Sequence, residues 1–248
     1  MNRFMQFVAS MAAGAAAAFA GEFDSNGVKI HYQMQGQGEP VILIHGLTAN
    51  ARVNWDWPGI TSFLAEDYQV IALDCRGHGL SGKPGISSQY GTNMVDDVVR
   101  IMDHFKIKSA HLVGYSMGGM ITMKMLVLHP DRVRSAVVGG MGWMREFPGL
   151  PWLPAGTNAL QACVKGFSQL VVTAEEVRAI KTPFTVLIAD RDPLRQGMVE
   201  PLRELRPDVP VVIIRNAGHI DCCTKPQFKT ELKRFLDKHG LQKTPKEP

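Results

Sequence analysis

Cysteine is scarce, with four in 248 residues, and the four are poorly placed for a framework. Cys75 and Cys163 stand alone, and Cys222 and Cys223 are adjacent, a pair that closes on itself only through a strained peptide. There is no paired C-x-x-C and no His-x-x-x-His on a helix, which argues against a metal site. A bridge from Cys163 to Cys222 or Cys223, and four free thiols, both stay open. Charge of one sign is also missing in bulk. Lys+Arg number 27 against 23 Asp+Glu, a formal net charge of +4. No run of five or six basic residues marks a nucleic-acid footprint. There is no internal repeat, and no second hydrophobic stretch of bilayer-spanning length follows the first twenty residues. With 45% apolar residues the chain is not disordered as a whole. Its length suits one large domain rather than two.

The first twenty residues differ from the rest. Arg3 is their only charge, an Ala-rich apolar stretch runs from Phe4 to Phe19, and Ala18-Phe19-Ala20 puts small residues where a signal peptidase cuts. This reads as a secretory leader over 1–20, removed after Ala20. A membrane anchor or a buried N-terminal helix is the alternative, although an Ala-rich stretch is marginal against the ~20 strongly apolar residues a span needs. The expectation is a secreted or periplasmic protein of residues 21–248 that keeps no membrane span after processing.

From there, short apolar runs bounded by Gly, Pro or Asp recur. Val28–Gln35 alternates as a half-exposed strand does. Val41–Ile44, Val70–Leu73, His111–Val113, Val133–Val138, Phe184–Ala189 and Val211–Ile214 are unbroken and rich in β-branched residues, as strands buried on both faces are. Between them, Met94, Val98, Ile101, Met102 and Phe105 share one face of a helix predicted over Thr92–Lys106. Met117–Leu128 is a second helix, stopped before His129-Pro130. Phe228, Leu232, Phe235 and Leu236 give the last helix its apolar face. Strands alternating with helices predict a doubly wound, mostly parallel α/β sheet. Residues of about 140–182 hold no strand but carry two tryptophans, three prolines and a predicted helix at Ala174–Ile180, which suits a small cap insertion over the edge where α/β sheets bind ligands. Residues of about 240–248 read as a loose tail.

Gly114-Tyr115-Ser116-Met117-Gly118 fits G-x-S-x-G, directly after one strand and directly before a helix. Such a turn holds the serine in a strained, exposed position, and the helix N-terminus behind it offers unpaired N–H groups to a developing anion. A serine hydroxyl needs a base, and the base needs an orienting acid. Of eight histidines, His219 in Asn216-Ala-Gly-His219 lies just past the last strand, where a loop tips it over the sheet edge. Asp190 and Asp192 both follow Phe184–Ala189. Asp192 sits further into the loop and is favoured, with Asp190 assigned to ending the strand or capping a turn.

These residues, with His45-Gly46-Leu47, Asp74 through Ser81 and Ala189 through Pro193, resemble the α/β-hydrolase superfamily, with its motifs in their usual order over nearly the whole of 21–248. The resemblance implies nucleophile Ser116, acid Asp192, base His219 and an oxyanion hole formed by the backbone N–H groups of Leu47 and Met117. It makes His45 and Gly46 shaping residues and Arg76 to Ser81 a supporting turn. Ala189 departs from the family's frequent glycine. A serine at the elbow sets the chain apart from the relatives that use aspartate there. No metal or organic cofactor is implied.

The expected activity is cleavage of a small-molecule carboxylic ester through an acyl-enzyme. Thioester, lactone, perhydrolase and carbon–carbon bond chemistry are alternatives on the same residues, and a non-catalytic binding protein is a further one. Trp143, Met144, Phe147 and Trp152 are expected to line an apolar substrate pocket, with anchoring of the cap as the competing role. The sequence carries no signal for oligomeric state.

Overall fold

The computed structural model describes residues 18–149 and 158–241. Its centre is an eight-stranded sheet: β1 (Phe19–Ser25), β2 (Val28–Gln35), β3 (Glu39–Ile44), β4 (Tyr68–Leu73), β5 (Ala110–Tyr115), β6 (Val133–Gly139), β7 (Phe184–Ala189) and β8 (Val211–Ile214). The order across the sheet is β1-β2-β4-β3-β5-β6-β7-β8. β1, β2 and β4 pair antiparallel, and all later pairings are parallel.

Every predicted strand forms, because residues alternating between two covered faces read as continuous apolar runs. Ile42, Ile44, Ile71, Leu73 and Leu112 face one layer. Val41, Leu43, Val70, Ala72 and Val113 face the other. The first layer holds α2 (Thr92–His104) and α3 (Met117–Leu128), and the second holds α1 (Ile60–Ala65) and α7 (Pro226–His239). α3 is buried on nearly all sides and joins the sheet to the cap.

The cap contributes α4 (Asn158–Gly166), a 3₁₀ turn at Phe167–Leu170 and α5 (Ala174–Ala179), and α6 (Glu200–Leu205) lies between β7 and β8. α5 opens on a reciprocal capping box, in which Thr173 accepts from the Glu176 N–H and Glu176 accepts from the Thr173 N–H. β1 was not expected as a strand. It begins at Phe19, so the two residues before the expected leader cut pair with Met34 and Gln33 of β2.

The chain enters the parallel part of the sheet at β3, moves to β4 on one side, and returns to β5 on the other. The order reverses between β3 and β5, the position at which open α/β sheets bind their ligands. Ile44 is level with Gly114 across that pair. The Leu47 loop and the Ser116 turn therefore leave neighbouring strands at the same height.

Candidate active site

The turn at Ser116 is tight enough to dictate its neighbours. Ser116 has φ +52° and ψ −112°, outside the regions that L-residues ordinarily occupy, and its N–H is tied to the Gly139 carbonyl at 2.8 Å. A Cβ on Gly114 would run into the Gly118 carbonyl, and one on Gly118 into the Ile44 carbonyl. Only glycine allows the start of α3 to lie this close to β5 and β3. The strained serine is thus set by packing on both sides.

His219 comes to Ser116 from the loop after β8. Its Nε2 lies 2.9 Å from Ser116 Oγ, and its Nδ1 lies 2.7 Å from Asp192 Oδ2. The other oxygen of Asp192 accepts the Leu194 N–H at 2.9 Å, and the carboxylate is completely shielded from solvent while the imidazole is partly open. With Nδ1 donating to the carboxylate, Nε2 carries the lone pair that faces the serine hydroxyl.

Asp190 is placed differently. Its carboxylate accepts the N–H groups of Asn216 and Ala217 at 2.9 and 3.0 Å, and these two bonds hold it below the usual carboxylate range. It braces the loop that carries His219. The backbone of that loop has two further supports, which no sequence pattern announced. The Tyr115 hydroxyl donates to the His219 carbonyl, and Asp221 accepts the Gly218 N–H at 2.7 Å.

Leu47 and Met117, the expected oxyanion donors, belong to the two segments that meet at the serine. Met117 is the first residue of α3, and Gly46, just before Leu47, abuts the Ser116 side chain. Neither N–H donates to another described residue. Asn54, in the π-helical turn Arg52–Asp56, accepts the Gly46 N–H at 2.8 Å and donates to Cys223 Sγ at 3.5 Å. It clamps the Leu47 loop to the segment after His219, a role sequence reasoning missed because Asn54 belongs to no recognised motif.

The other histidines of the edge are committed elsewhere. His45 Nδ1–H donates to the Gly46 carbonyl, and its Nε2 accepts the Cys75 N–H. Complete burial, with His78 beside it, lowers its pKa to about 3, so it stays neutral and shapes the loop. His78 Nδ1 donates to the Arg76 carbonyl and is likewise lowered by burial.

All four cysteines are buried and free. Of the two thiol states the sequence left open, the structure has the unbridged one. Burial pushes Cys163 and Cys222 up to about 12, which keeps them protonated. Cys163 lies 3.9 Å from Met117 Sδ, behind the elbow.

A family model described as the alpha/beta hydrolase fold matches residues 39–148. The crystal structure of an E-2-(acetamidomethylene)succinate hydrolase superposes with a TM-score of 0.74 at 21% identity, covering 89% of this chain and 100% of that one. The chain has the α/β-hydrolase fold. Among curated proteins it is 31% identical over 173 residues to a cis-3-alkyl-4-alkyloxetan-2-one decarboxylase of Shewanella oneidensis, covering 66% of this chain and 54% of that protein. It is 34% identical over 120 residues to a 2-hydroxymuconate semialdehyde hydrolase of a Pseudomonas species, covering 48% of this chain and 42% of that protein. The chain spans about half the length of these two curated relatives.

Within this fold, the expected pocket residues divide. Trp143 is buried, and its indole N–H donates to the Val172 carbonyl at 2.7 Å, which ties the start of the cap to the segment before α5. Met144 is buried in the same core, and Phe147 is half-buried edge-on to Phe167. The anchoring role accounts for Trp143. Trp152 lies outside the described residues. Among the described residues, no three His, Cys, Asp or Glu side chains gather as a metal-binding group.

Proposed function

We propose that this protein is a serine hydrolase that cleaves small-molecule carboxylic esters. The observation that carries the reading is the unbroken path from buried Asp192 through His219 to strained Ser116, at 2.7 and 2.9 Å. His219 Nε2 takes the hydroxyl proton as Ser116 Oγ attacks the carbonyl carbon, and Asp192 stabilises the imidazolium that forms. The carbonyl oxygen becomes an anion and takes hydrogen bonds from the Leu47 and Met117 N–H groups, each worth about 10²–10³ in rate. The imidazolium then protonates the departing alkoxide. Water, deprotonated by the same nitrogen, attacks the acyl-Ser116 ester, and collapse of the second tetrahedral species returns the serine and releases the acid. Each proton is passed between the reactants and one nitrogen, so the chemistry needs no metal or organic cofactor.

The test is hydrolysis of p-nitrophenyl esters of increasing acyl length beside a Ser116→Ala variant, with fluorophosphonate labelling of both. Turnover and labelling that vanish in the variant support the reading. Turnover that survives in the variant, or folded wild-type protein that neither turns over nor labels, overturns it. The likeness to the 2-hydroxymuconate semialdehyde hydrolase supports a second reading, hydrolysis of a carbon–carbon bond by the same residues. Loss of that semialdehyde's conjugated absorbance, faster than turnover of any ester, would favour it.

A further inference from the structure

Seven large apolar side chains are exposed among the described residues, and they are unevenly placed. Leu128 leads into β6, and Leu241 donates its N–H to Glu39 at the start of β3, so both lie at the amino ends of the strands. The other five lie at the carboxyl ends, on the loops around Ser116. Val53 and Trp57 follow β3, Leu80 and Ile86 follow β4, and Ile220 follows β8, next to His219. Ile220 is 90% exposed and Trp57 69%. Isolated apolar residues on a surface are ordinary; five on the loops of one edge are not.

Charge on the same loops is equally one-sided. Arg52, Lys83, Arg145, Arg191 and Arg215 are exposed there, with Glu146 as an exposed carboxylate beside Arg145. The remaining carboxylates of these loops are engaged. Asp190 holds backbone N–H groups and lies 4.0 Å from Arg191, Asp221 pairs with Lys225 at 2.7 Å, and Asp56 accepts from Thr61, which leaves Arg52, Lys83, Arg145 and Arg215 without a carboxylate partner in an ion pair among the described residues. A two-fold contact through this face would set the cations of one copy against those of the other, which opposes pairing with a second copy. Separate apolar tips among cations fit a surface that is negative outside and apolar beneath. Tryptophan favours the boundary layer of such a surface.

We infer that the carboxyl edge of the sheet is a docking face for an anionic lipid surface. Trp57 and Ile220 enter the interfacial layer, and Arg52, Lys83, Arg191 and Arg215 meet the head-group charge. Docking does not depend on the chemistry of Ser116, so it is tested separately from the proposed activity. Full-length Ser116→Ala protein, which leaves lipid unconsumed, is sedimented with vesicles of equimolar phosphatidylglycerol and phosphatidylcholine, and with phosphatidylcholine alone.

The mixed vesicles are expected to carry the protein down, with affinity falling as salt is added and at least about tenfold weaker on the neutral vesicles. Adding Arg52→Glu or Arg215→Glu lowers affinity by about fivefold or more each, as loss of one cation near the surface predicts. Trp57→Ser and Ile220→Ser, each made separately and shown to be folded by circular dichroism, weaken it as well. Equal binding to the two vesicle types, or no binding to either, overturns the inference. So does a dimer in sedimentation velocity that Ile220→Ser abolishes, which would give the face to a second copy.

Discussion

Replacing Asp192 with asparagine tests the arrangement around Ser116 at its most specific point. One carboxylate oxygen is already engaged by the Leu194 N–H at 2.9 Å, and the other faces His219 Nδ1 at 2.7 Å. An asparagine has one acceptor and one donor end. Its oxygen stays with the Leu194 N–H, so its NH₂ points at His219. Nδ1 must then accept, the ring proton moves to Nε2, and the nitrogen 2.9 Å from Ser116 Oγ no longer has a lone pair for the serine proton. The side chain is the same size, so the fold should persist. The expected loss in kcat is about 10⁴-fold, or about 5.5 kcal/mol of transition-state stabilisation. The assay is ester turnover with active-site titration, beside Asp190→Asn. The Asp190 variant disturbs a brace and should lower the thermal midpoint while holding kcat within about tenfold. An Asp192→Asn protein retaining a tenth of wild-type kcat, or an Asp190→Asn loss as deep as that at Asp192, would refute the reasoning.

Stability should fall as pH drops from about 6.5, the ordinary histidine value, toward 4. Burial lowers His45 to about 3 and His111 to about 4, and lowers His78 as well, so the unfolded chain binds protons in this window that the folded chain does not. Each group contributes a slope of up to about 1.4 kcal/mol per pH unit, measurable as a lower urea midpoint at pH 5 than at pH 7. Ellman's reagent should find no rapidly reacting thiol in the native protein and all four after denaturation, because every cysteine is buried and unbridged. Gly118→Ala should abolish turnover and lower the unfolding free energy in urea by roughly 1–3 kcal/mol or more, because its methyl group meets the Ile44 carbonyl. Tyr115→Phe removes the hydroxyl that holds the His219 carbonyl. It should cost about 1–3 kcal/mol by thermal melting and lower kcat more than it changes KM.

Local pattern carried much of the fold. The parallel strands are legible because burial on both faces makes each a short apolar run, and Met117–Leu128 begins and ends as its flanking Ser116 and His129-Pro130 indicate. The short helices Ile60–Ala65 and Glu200–Leu205 complete too few turns to print a period, and neither was expected. β1 escaped because Phe19–Ser25 is a half-exposed edge strand, and its first residues overlap the stretch that reads as the end of a leader. The elbow serine was visible for a steric reason: its turn demands glycine at fixed offsets, and those offsets are short in the sequence.

What only the tertiary structure decided are the meetings between distant residues. Asp190 and Asp192 are two positions apart with the same chemistry. The choice between them rests on where the loops after β7 and β8 lie, with one carboxylate turned to backbone N–H groups and the other to an imidazole 27 residues away. Asn54, Tyr115 and Asp221 acquired supporting roles in the same way, and Trp143 became an anchor of the cap through Val172. Residue type and spacing determined the strands, the central helix and which side chains were chemically capable. Which of them touch depended on strand order, with β3 beside β5 and Ile44 level with Gly114, because hydrogen bonds of this kind are formed across space and leave no period in the chain.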